Sequence, residues 1–393
     1  MSGLKLLKPK TEEECSSLIM ESENFEIQGG GSRAIGRLDD KSRNILSTSN
    51  MSGIVDYEPA EMVMIAKAGT PIVDIEKALK KGGQRMIFEP LDYSALLGTK
   101  GKSTIGGVIA TNASGPRRFV AGACRDSFLG ARFVNGKGDI IKAGGRVMKN
   151  VTGLDLIKLL AGSWGTLAPM TEVTFKVVPQ VEMETTLVLH GLSDEKSAHA
   201  MAAAMATSCE VTGVAHLPEN IASGFKDLAG KSATLLRLEG FKKSVNLRIE
   251  KLQTILSAFG EQSVLNDKQA KTIWAEVRDV KPFADGTNSP VWRISVAPMI
   301  GHKLVSELGA ENAFYDWQGG LVWLKMEDDP DADKVRAAIA KLGGGHATLI
   351  RASDEQRQSS QIFQPENTAV ATISKRIREQ FDPMGKFYSG RMG

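Results

Sequence analysis

Thr104-Ile-Gly-Gly-Val-Ile-Ala-Thr-Asn-Ala-Ser-Gly115 is the stretch on which the reading of this chain turns. Its side chains are small. Gly106, Gly107 and Gly115, with Thr111, Asn112 and Ser114, let backbone N–H groups come close to a large ligand because few Cβ atoms intervene. The spacing predicts a helix over residues 105–113, entered through Thr104 and Ile105. Its first turn would offer N–H groups and a positive dipole end to an anion or carbonyl. Close helix–sheet packing through glycine is the other reading.

The pattern continues in both directions. Downstream come Arg125-Asp126, Gly162-Ser-Trp-Gly-Thr-Leu167 and Thr171-Glu-Val173. Upstream, Phe25-Glu-Ile-Gln28 reads as a strand running into Gly29-Gly-Gly-Ser-Arg33. Consecutive glycines can turn several N–H groups toward one anion, as a pyrophosphate requires, and Ser32 adds a hydroxyl. A flexible turn is the alternative for this loop taken alone. Two glycine-rich segments in one domain favour a ligand over two accidents of packing.

Gly98-Thr-Lys-Gly-Lys-Ser103 imitates a nucleotide-binding P-loop, but that loop needs a glycine at position 96, where Leu96 stands. There is no G-x-G-x-x-G, which argues against a Rossmann dinucleotide site. Arg117, Arg118 and Arg125 would neutralise phosphates or form a solvated basic surface. Glu172 would accept from a ligand amide or hydroxyl, or sit as a strand-edge carboxylate. His216, Arg237, Arg293 and Arg351 lie in strand contexts and would line a site or serve structure. Trp274, Trp292, Trp317 and Trp323 read as core or interface residues.

Composition narrows the class. The 393 residues suffice for two domains, or three small ones. With 42% hydrophobic and 24% charged residues, the chain reads as a soluble globular protein. A net charge of +3 is too small to argue for nucleic acid or a membrane surface. Cys15, Cys124 and Cys209 have no C-x-x-C spacing, so an iron–sulfur cluster or cysteine-held zinc within this chain alone is not expected. Their isolation suits a reducing cytoplasm. Neither a signal peptide nor a membrane-spanning run is apparent. All five histidines follow residue 189, leaving the glycine-rich half none for covalent linkage, metal binding or base catalysis.

The first half reads as short strands and helices: strands at 62–67 and 172–178, a helix opened by Thr70-Pro71 and ended by Gly82-Gly83, a second helix at 155–161, and a hairpin around Asn135-Gly136. After Pro179-Gln180 glycine thins out and helix formers appear. Strands outside βαβ order, with helices between them, predict an antiparallel sheet covered on one face. The fold class is thus α+β in two domains, 1–180 and 181–380, with a tail from 381 to 393.

The order Gly-Gly-Gly-Ser, Thr-Ile-Gly-Gly, Arg-Asp, Gly-Ser-Trp-Gly-Thr-Leu and Thr-Glu-Val resembles the vanillyl-alcohol-oxidase or PCMH-type FAD-binding family over about residues 25–180. Gly115-Pro-Arg-Arg-Phe-Val-Ala-Gly-Ala-Cys-Arg-Asp126, Val147-Met-Lys-Asn-Val-Thr-Gly-Leu-Asp-Leu156 and the tail Phe381-Asp-Pro-Met-Gly385 resemble the FAD-binding subunits of bacterial glycolate oxidases. The resemblance implies FAD, an α+β cap and a tail returning toward the flavin. It implies that the Gly29–Ser32 loop, flanked by Gln28 and Arg33, and the segment Thr104–Gly115, with Thr104 to Gly107, Thr111, Asn112, Ser114 and Gly115, serve the pyrophosphate and adenine side; Arg117 and Arg118 are added to these by their charge. Gly165, Thr166, Leu167, Glu172 and Val173 would approach the other end. Family members with covalent flavin often carry a histidine in the first loop. Here Gly31-Ser32-Arg33 stands there, so non-covalent FAD is expected.

Three departures touch the flavin end. Pro169 lacks an N–H where the family usually has a donor. Leu154 stands where tyrosine is common, and Tyr388-Ser389-Gly390 replaces Asn-Pro-Gly. The resemblance implies oxidation of a 2-hydroxy acid, glycolate above all, alongside a sister FAD subunit and an iron–sulfur subunit. The location would be cytoplasmic, peripheral to the membrane only through partners. A self-sufficient dehydrogenase and a flavin-free scaffold are the alternatives. No residue stands out as catalytic.

Overall fold

The run Phe128–Val134 is buried almost throughout, as a central strand must be when both its faces are covered. It anchors the first of two large sheets in the computed structural model, which describes residues 5–22, 24–37, 44–146, 155–228, 230–387 and 390–392. Leu154, Tyr388, Ser389 and most of the 147–156 motif fall outside the described residues.

Three short parallel strands open the chain: β1 (Leu6–Leu7), β2 (Phe25–Gln28) and β3 (Asn44–Ser47), in the order β1-β3-β2. Next come β4 (Ile54–Glu58), β5 (Val63–Lys67), β6 (Gln84–Arg85), β7 (Phe128–Val134), β8 (Ile140–Gly144), β9 (Met170–Lys176) and β10 (Val178–Pro179). Five of these form an antiparallel sheet, β4-β5-β9-β7-β8, while β6 and β10 pair separately. The loop at Asn135 closes the β7–β8 hairpin: its Oδ1 accepts from the N–H groups of Lys137 and Asp139, each at 2.9 Å.

The second sheet is antiparallel and has eight strands: β11 (Met183–His190), β12 (Gly213–Leu217), β13 (Ala233–Gly240), β14 (Gln262–Leu265), β15 (Val291–Ser295), β16 (Ala313–Asp316), β17 (Leu321–Lys325) and β18 (His346–Arg351). Their order is β14-β11-β13-β12-β16-β17-β15-β18. Leu187 and Leu189 of β11 pack with Val245, Ile249 and Leu252 of the helix Lys242–Ile255. Thr186 points to the opposite side, where its hydroxyl accepts from Trp274 Nε1 at 2.9 Å. Trp274 lies on the helix Asp267–Arg278, so this part of the sheet has helices on both faces rather than one.

Contacts divide the chain into two units. Unit 1 comprises Met1–Gly115, Ala121–Gln180 and Pro365–Gly393, and unit 2 comprises Pro116–Val120 and Val181–Gln364. Beyond the returning tail that the resemblance implies, Pro116–Val120 falls with unit 2 and the residues from Pro365 onward fall with unit 1, and two anchors account for it. Phe119 packs against the apolar cluster of unit 2. At the other end, the helix Thr368–Phe381 buries Phe381, which stacks on Phe133 at 5.7 Å and accepts from the Gly136 N–H at 2.8 Å.

Candidate functional site

Unit 1 contains a cavity of about 760 Å³, counting its open mouth, within the size range of ligand pockets. Its lining draws on β2 and the loop after it, the helix Ile105–Ala110, the turn at Trp164, and the C-terminal tail. Glycine and alanine dominate: Gly29, Gly30, Gly31, Gly106, Gly107 and Gly165, with Ala34, Ala110 and Ala168. Hydroxyls of Ser32, Thr48, Thr104 and Thr111 and the guanidiniums of Arg33 and Arg391 supply the polar edge.

The first-loop glycines answer to two demands. A Cβ at Gly30 would lie 2.0 Å from the Lys102 carbonyl oxygen, and one at Gly29 would lie 2.5 Å from Thr104 Oγ1. Gly30 is glycine because the loops at 29–31 and 101–104 pass backbone to backbone there, and Gly29 because the Thr104 side chain takes the room. Gly31 is glycine for its φ of +80°, which turns the chain along the cavity wall. Arg33 holds the assembly: Nη1 donates to Ser32 Oγ at 3.1 Å and Ser103 Oγ at 2.9 Å, and Nη2 donates to the Leu91 carbonyl at 2.6 Å.

The second glycine segment departs from expectation. Its helix ends at Ala110, and Asn112, with φ of 47°, breaks the continuation to 113. The N–H groups of its first turn are spent within the protein. Ile105 donates to the Thr70 carbonyl at 3.0 Å, Gly106 to Ala68 at 2.8 Å, and Gly107 to Thr104 Oγ1 at 3.3 Å. The helix start is thus a packed and capped junction, not an open anion site. What Thr104, Gly106, Gly107 and Thr111 offer is a bare wall with hydroxyls along it.

The remaining expected residues separate. Asn112 Oδ1 accepts from the Arg125 N–H at 3.0 Å, Ser114 Oγ accepts from Cys124 N–H at 2.9 Å, and Gly115 N–H donates to the Phe88 carbonyl at 3.0 Å, so all three tie separate segments of the chain together. Ile105, Leu167 and Val173 are core. Thr166 Oγ1 donates to the Ser163 carbonyl at 2.7 Å. Glu172 pairs with Lys67, its cross-strand neighbour, at 2.9 Å. Arg117 and Arg118 are the clearest corrections, for both belong to unit 2 and neither lines the cavity. Arg117 is buried against Glu184 and Glu239, and Arg118 lies over the Trp317 ring.

Beside the expected Gly165, the lining includes Glu26, Trp164 and Arg391, which were not expected. Glu26 sits two residues before Gln28, so strand alternation was the clue. Trp164, with φ of 55°, and Gly165, with φ of 79°, form a left-handed turn at the wall. Arg391 is far in sequence from the rest. Its Nη2 donates to Glu26 Oε1, its Nη1 to the Trp164 carbonyl at 3.4 Å, and its own carbonyl accepts from the Arg37 N–H at 3.1 Å.

A wall that side chains would fill, edged by hydroxyls and guanidiniums, fits a long anionic cofactor such as FAD. Comparisons with known proteins agree. A family model described as FAD binding domain matches residues 4–144. The glycolate oxidase subunit GlcE of Escherichia coli (strain K12) is 32% identical over 387 residues, covering 97% of this chain and 95% of that protein. The D-lactate dehydrogenase of Archaeoglobus fulgidus is 31% identical over 189 residues, covering 47% of this chain and 41% of that protein. Among solved structures, p-cresol methylhydroxylase with substrate bound has a TM-score of 0.72 at 11% identity, covering 98% of this chain and 88% of the other. An alkyldihydroxyacetonephosphate synthase has a TM-score of 0.69 at 18% identity, covering 98% and 76%. At such identities these two speak for the fold alone. With the near-complete likeness to GlcE, the chain belongs to the family of that glycolate oxidase subunit, within the PCMH-type FAD-binding proteins.

Proposed function

We propose that this chain is the FAD-binding subunit of a glycolate oxidase-type complex, in which glycolate is oxidised to glyoxylate and electrons pass to partner subunits. The coarser class is that of FAD-dependent oxidoreductases acting on 2-hydroxy acids. The observation that carries the finer reading is the likeness to GlcE along 97% of the chain.

The backbone of Gly29 to Gly31, with Ser32, Thr104 and Thr111, would hold the phosphate-bearing part of FAD. Glu26, Arg391 and the Trp164–Gly165 turn would close on the rest. Among the described residues lining the cavity none is His, Cys or Tyr, which favours non-covalent binding. When bound, FAD supplies a hydride acceptor at N5. Arg33 keeps the two loops of the cradle in register, and the Glu26–Arg391 pair holds the tail at its mouth.

The partners in this reading are a sister FAD subunit and an iron–sulfur subunit. Cys15, Cys124 and Cys209 are each buried and none is in a disulfide, so cluster ligands would come from the latter. Among the described residues no helix is long and apolar enough to cross a membrane. The complex would work in the cytoplasm and touch the membrane through partners.

A visible absorption spectrum of the purified full chain, repeated anaerobically with glycolate, tests this. Flavin bands that bleach only after the sister subunit is added are the expected result. Bleaching of the chain alone would make it a self-sufficient dehydrogenase. Absence of bands even after soaking with FAD would make it a scaffold.

A further inference from the structure

The helix Glu12–Glu21 has no basic side chain in its last turn to meet its C-terminal carbonyls. The Ser22 N–H takes one of them, reaching the Leu18 carbonyl at 3.2 Å. The next, that of Ile19, accepts from Nζ of Lys386, a residue 367 positions further along the chain. Lys386 is only 5% exposed, so its ammonium has left water to make this contact. The carbonyl dipoles at a helix C-terminus are a favourable place for such a cation.

The same residue holds the strand that follows the helix. Its carbonyl accepts from the N–H of Phe25, the first residue of β2, at 2.6 Å. Phe387 sets its ring 6.4 Å from that of Phe25 and joins Cys15, Ile19, Leu46 and Val134 in one buried cluster. Asp382 fixes the turn before it, Oδ2 accepting from the Phe387 N–H at 2.6 Å. The tail thus grips both ends of the link between helix and strand. β2 stands at the edge of its three-stranded sheet, beside β3, so one ladder and the tail together set where it lies.

β2 leads straight into the cofactor cradle. Glu26, Ile27 and Gln28 line the cavity, and Gly29 begins its first loop. Ile27 also backs the turn at Gly165, where a Cβ would stand 3.0 Å from Ile27 Cβ. In a close-packed interior, a shift of β2 is therefore carried to the glycine loop and to the Gly165 turn at once.

We propose that Lys386 is a positioning residue for this cradle: by closing the helix end and holding Phe25 it keeps β2, and with it the Gly29–Gly31 loop, in place to receive the phosphates of FAD. The cofactor rests on the reading under Proposed function; the placing of β2 rests on the contacts alone.

The test is amide hydrogen exchange of the full chain, without and with FAD, beside a flavin fluorescence titration. Lys386→Met keeps the reach of the side chain and removes the ammonium. It is expected to speed exchange over residues 25–33 roughly tenfold in the FAD-free protein, while Phe128–Val134 exchanges as in wild type. FAD affinity is expected to fall roughly tenfold, and saturating FAD to return most of the lost protection. Lys386→Arg, which restores charge and donor, is expected to lie between Lys386→Met and wild type. Glu12→Gln loosens the same helix without touching the tail, and separates positioning from a general loss of stability. It is expected to lower the unfolding midpoint and leave FAD affinity near wild type. Exchange that rises equally across unit 1, or stays unchanged over 25–33, would overturn the proposal. So would FAD affinity that falls as far in Glu12→Gln as in Lys386→Met. Wild-type protein that takes up no FAD would retire the cofactor reading, and the FAD-free exchange would still decide whether Lys386 places the loop.

Discussion

Arg117 grips Glu239 with two nitrogens: Nε donates to Oε2 at 2.8 Å and Nη2 to Oε1. Glu239 stands directly opposite Glu184 in the β11–β13 ladder, a like-charge pairing that would repel on its own. Arg117 Nη2 also reaches Glu184 Oε2 at 3.3 Å, so one buried cation serves two buried carboxylates. Arg117→Met should cost about 3–5 kcal/mol, because it strands charge in the interior. Adding Glu184→Gln and Glu239→Gln to that variant should recover most of the loss. Urea unfolding of the three proteins decides it; a triple variant no better than Arg117→Met would mean the arginine acts through packing.

The loop glycines make a separate prediction. A Cβ at Gly30 would sit 2.0 Å from the Lys102 carbonyl, so Gly30→Ala must push the two cradle loops apart. We expect a stability loss of roughly 1–3 kcal/mol and a lower flavin-to-protein ratio on purification. Gly145→Ala is the matched control, since a Cβ there meets nothing within 4 Å. Equal behaviour of the two variants would show that the loop approach is not tight.

These cases show which features a sequence carries. Phe25–Gln28 and its glycines were legible because alternation and punctuation are local signals. Of the residues expected to hold FAD, the cavity brings together Gln28 to Arg33, Thr104, Gly106, Gly107, Thr111 and Gly165. Asn112, Ser114 and Thr166 looked like ligand donors or acceptors, but the sequence does not say who takes a hydroxyl or amide; backbone groups of the protein took them, 13 and 10 residues away for the first two. The helix Glu12–Glu21 is legible from its cap: Thr11 accepts from Glu14 N–H at 3.2 Å, in a Thr-x-x-Glu signature. The parallel strands Leu6–Leu7 and Asn44–Ser47 are too short to show a period at all. Arg391 belongs to the site only through tertiary return of the tail, which no local pattern encodes.

Arg391 should matter to cofactor retention. It lines the cavity while paired with Glu26, so it is placed both to hold the tail and to face the ligand. Arg391→Ala should weaken FAD binding roughly tenfold, about 1.4 kcal/mol, in a flavin fluorescence titration. If the pair alone is responsible, Glu26→Gln should match it and the double variant should be no worse than either single one. Additive losses would instead mean that each residue meets FAD by itself, and unchanged affinity in Arg391→Ala would remove the tail from the site.

Glu12 ties the first helix to the sheet and makes unit 1 sensitive to acid. Its carboxylate accepts from Arg132 Nε at 2.8 Å and Nη2 at 2.6 Å, and from Thr171 Oγ1 at 2.5 Å. Burial pushes the carboxyl up, but the hydrogen bonds from Arg132 and Thr171 outweigh it and hold it below its ordinary 4.5. A carboxyl lowered in the folded state binds fewer protons there than in the unfolded chain. Its contribution is therefore complete above the ordinary value and is lost as pH falls through the folded one. Glu12→Gln should be less stable than wild type at neutral pH by roughly 1–3 kcal/mol, since it gives up the charge-assisted bonds. The gap should narrow as pH drops below about 4.5, where the carboxyl of the unfolded chain takes up its proton while the folded one stays charged, until the folded carboxyl is protonated as well. Thermal melts of both proteins across that range measure it, and two curves that stay parallel would show that Glu12 holds the helix by shape rather than by charge.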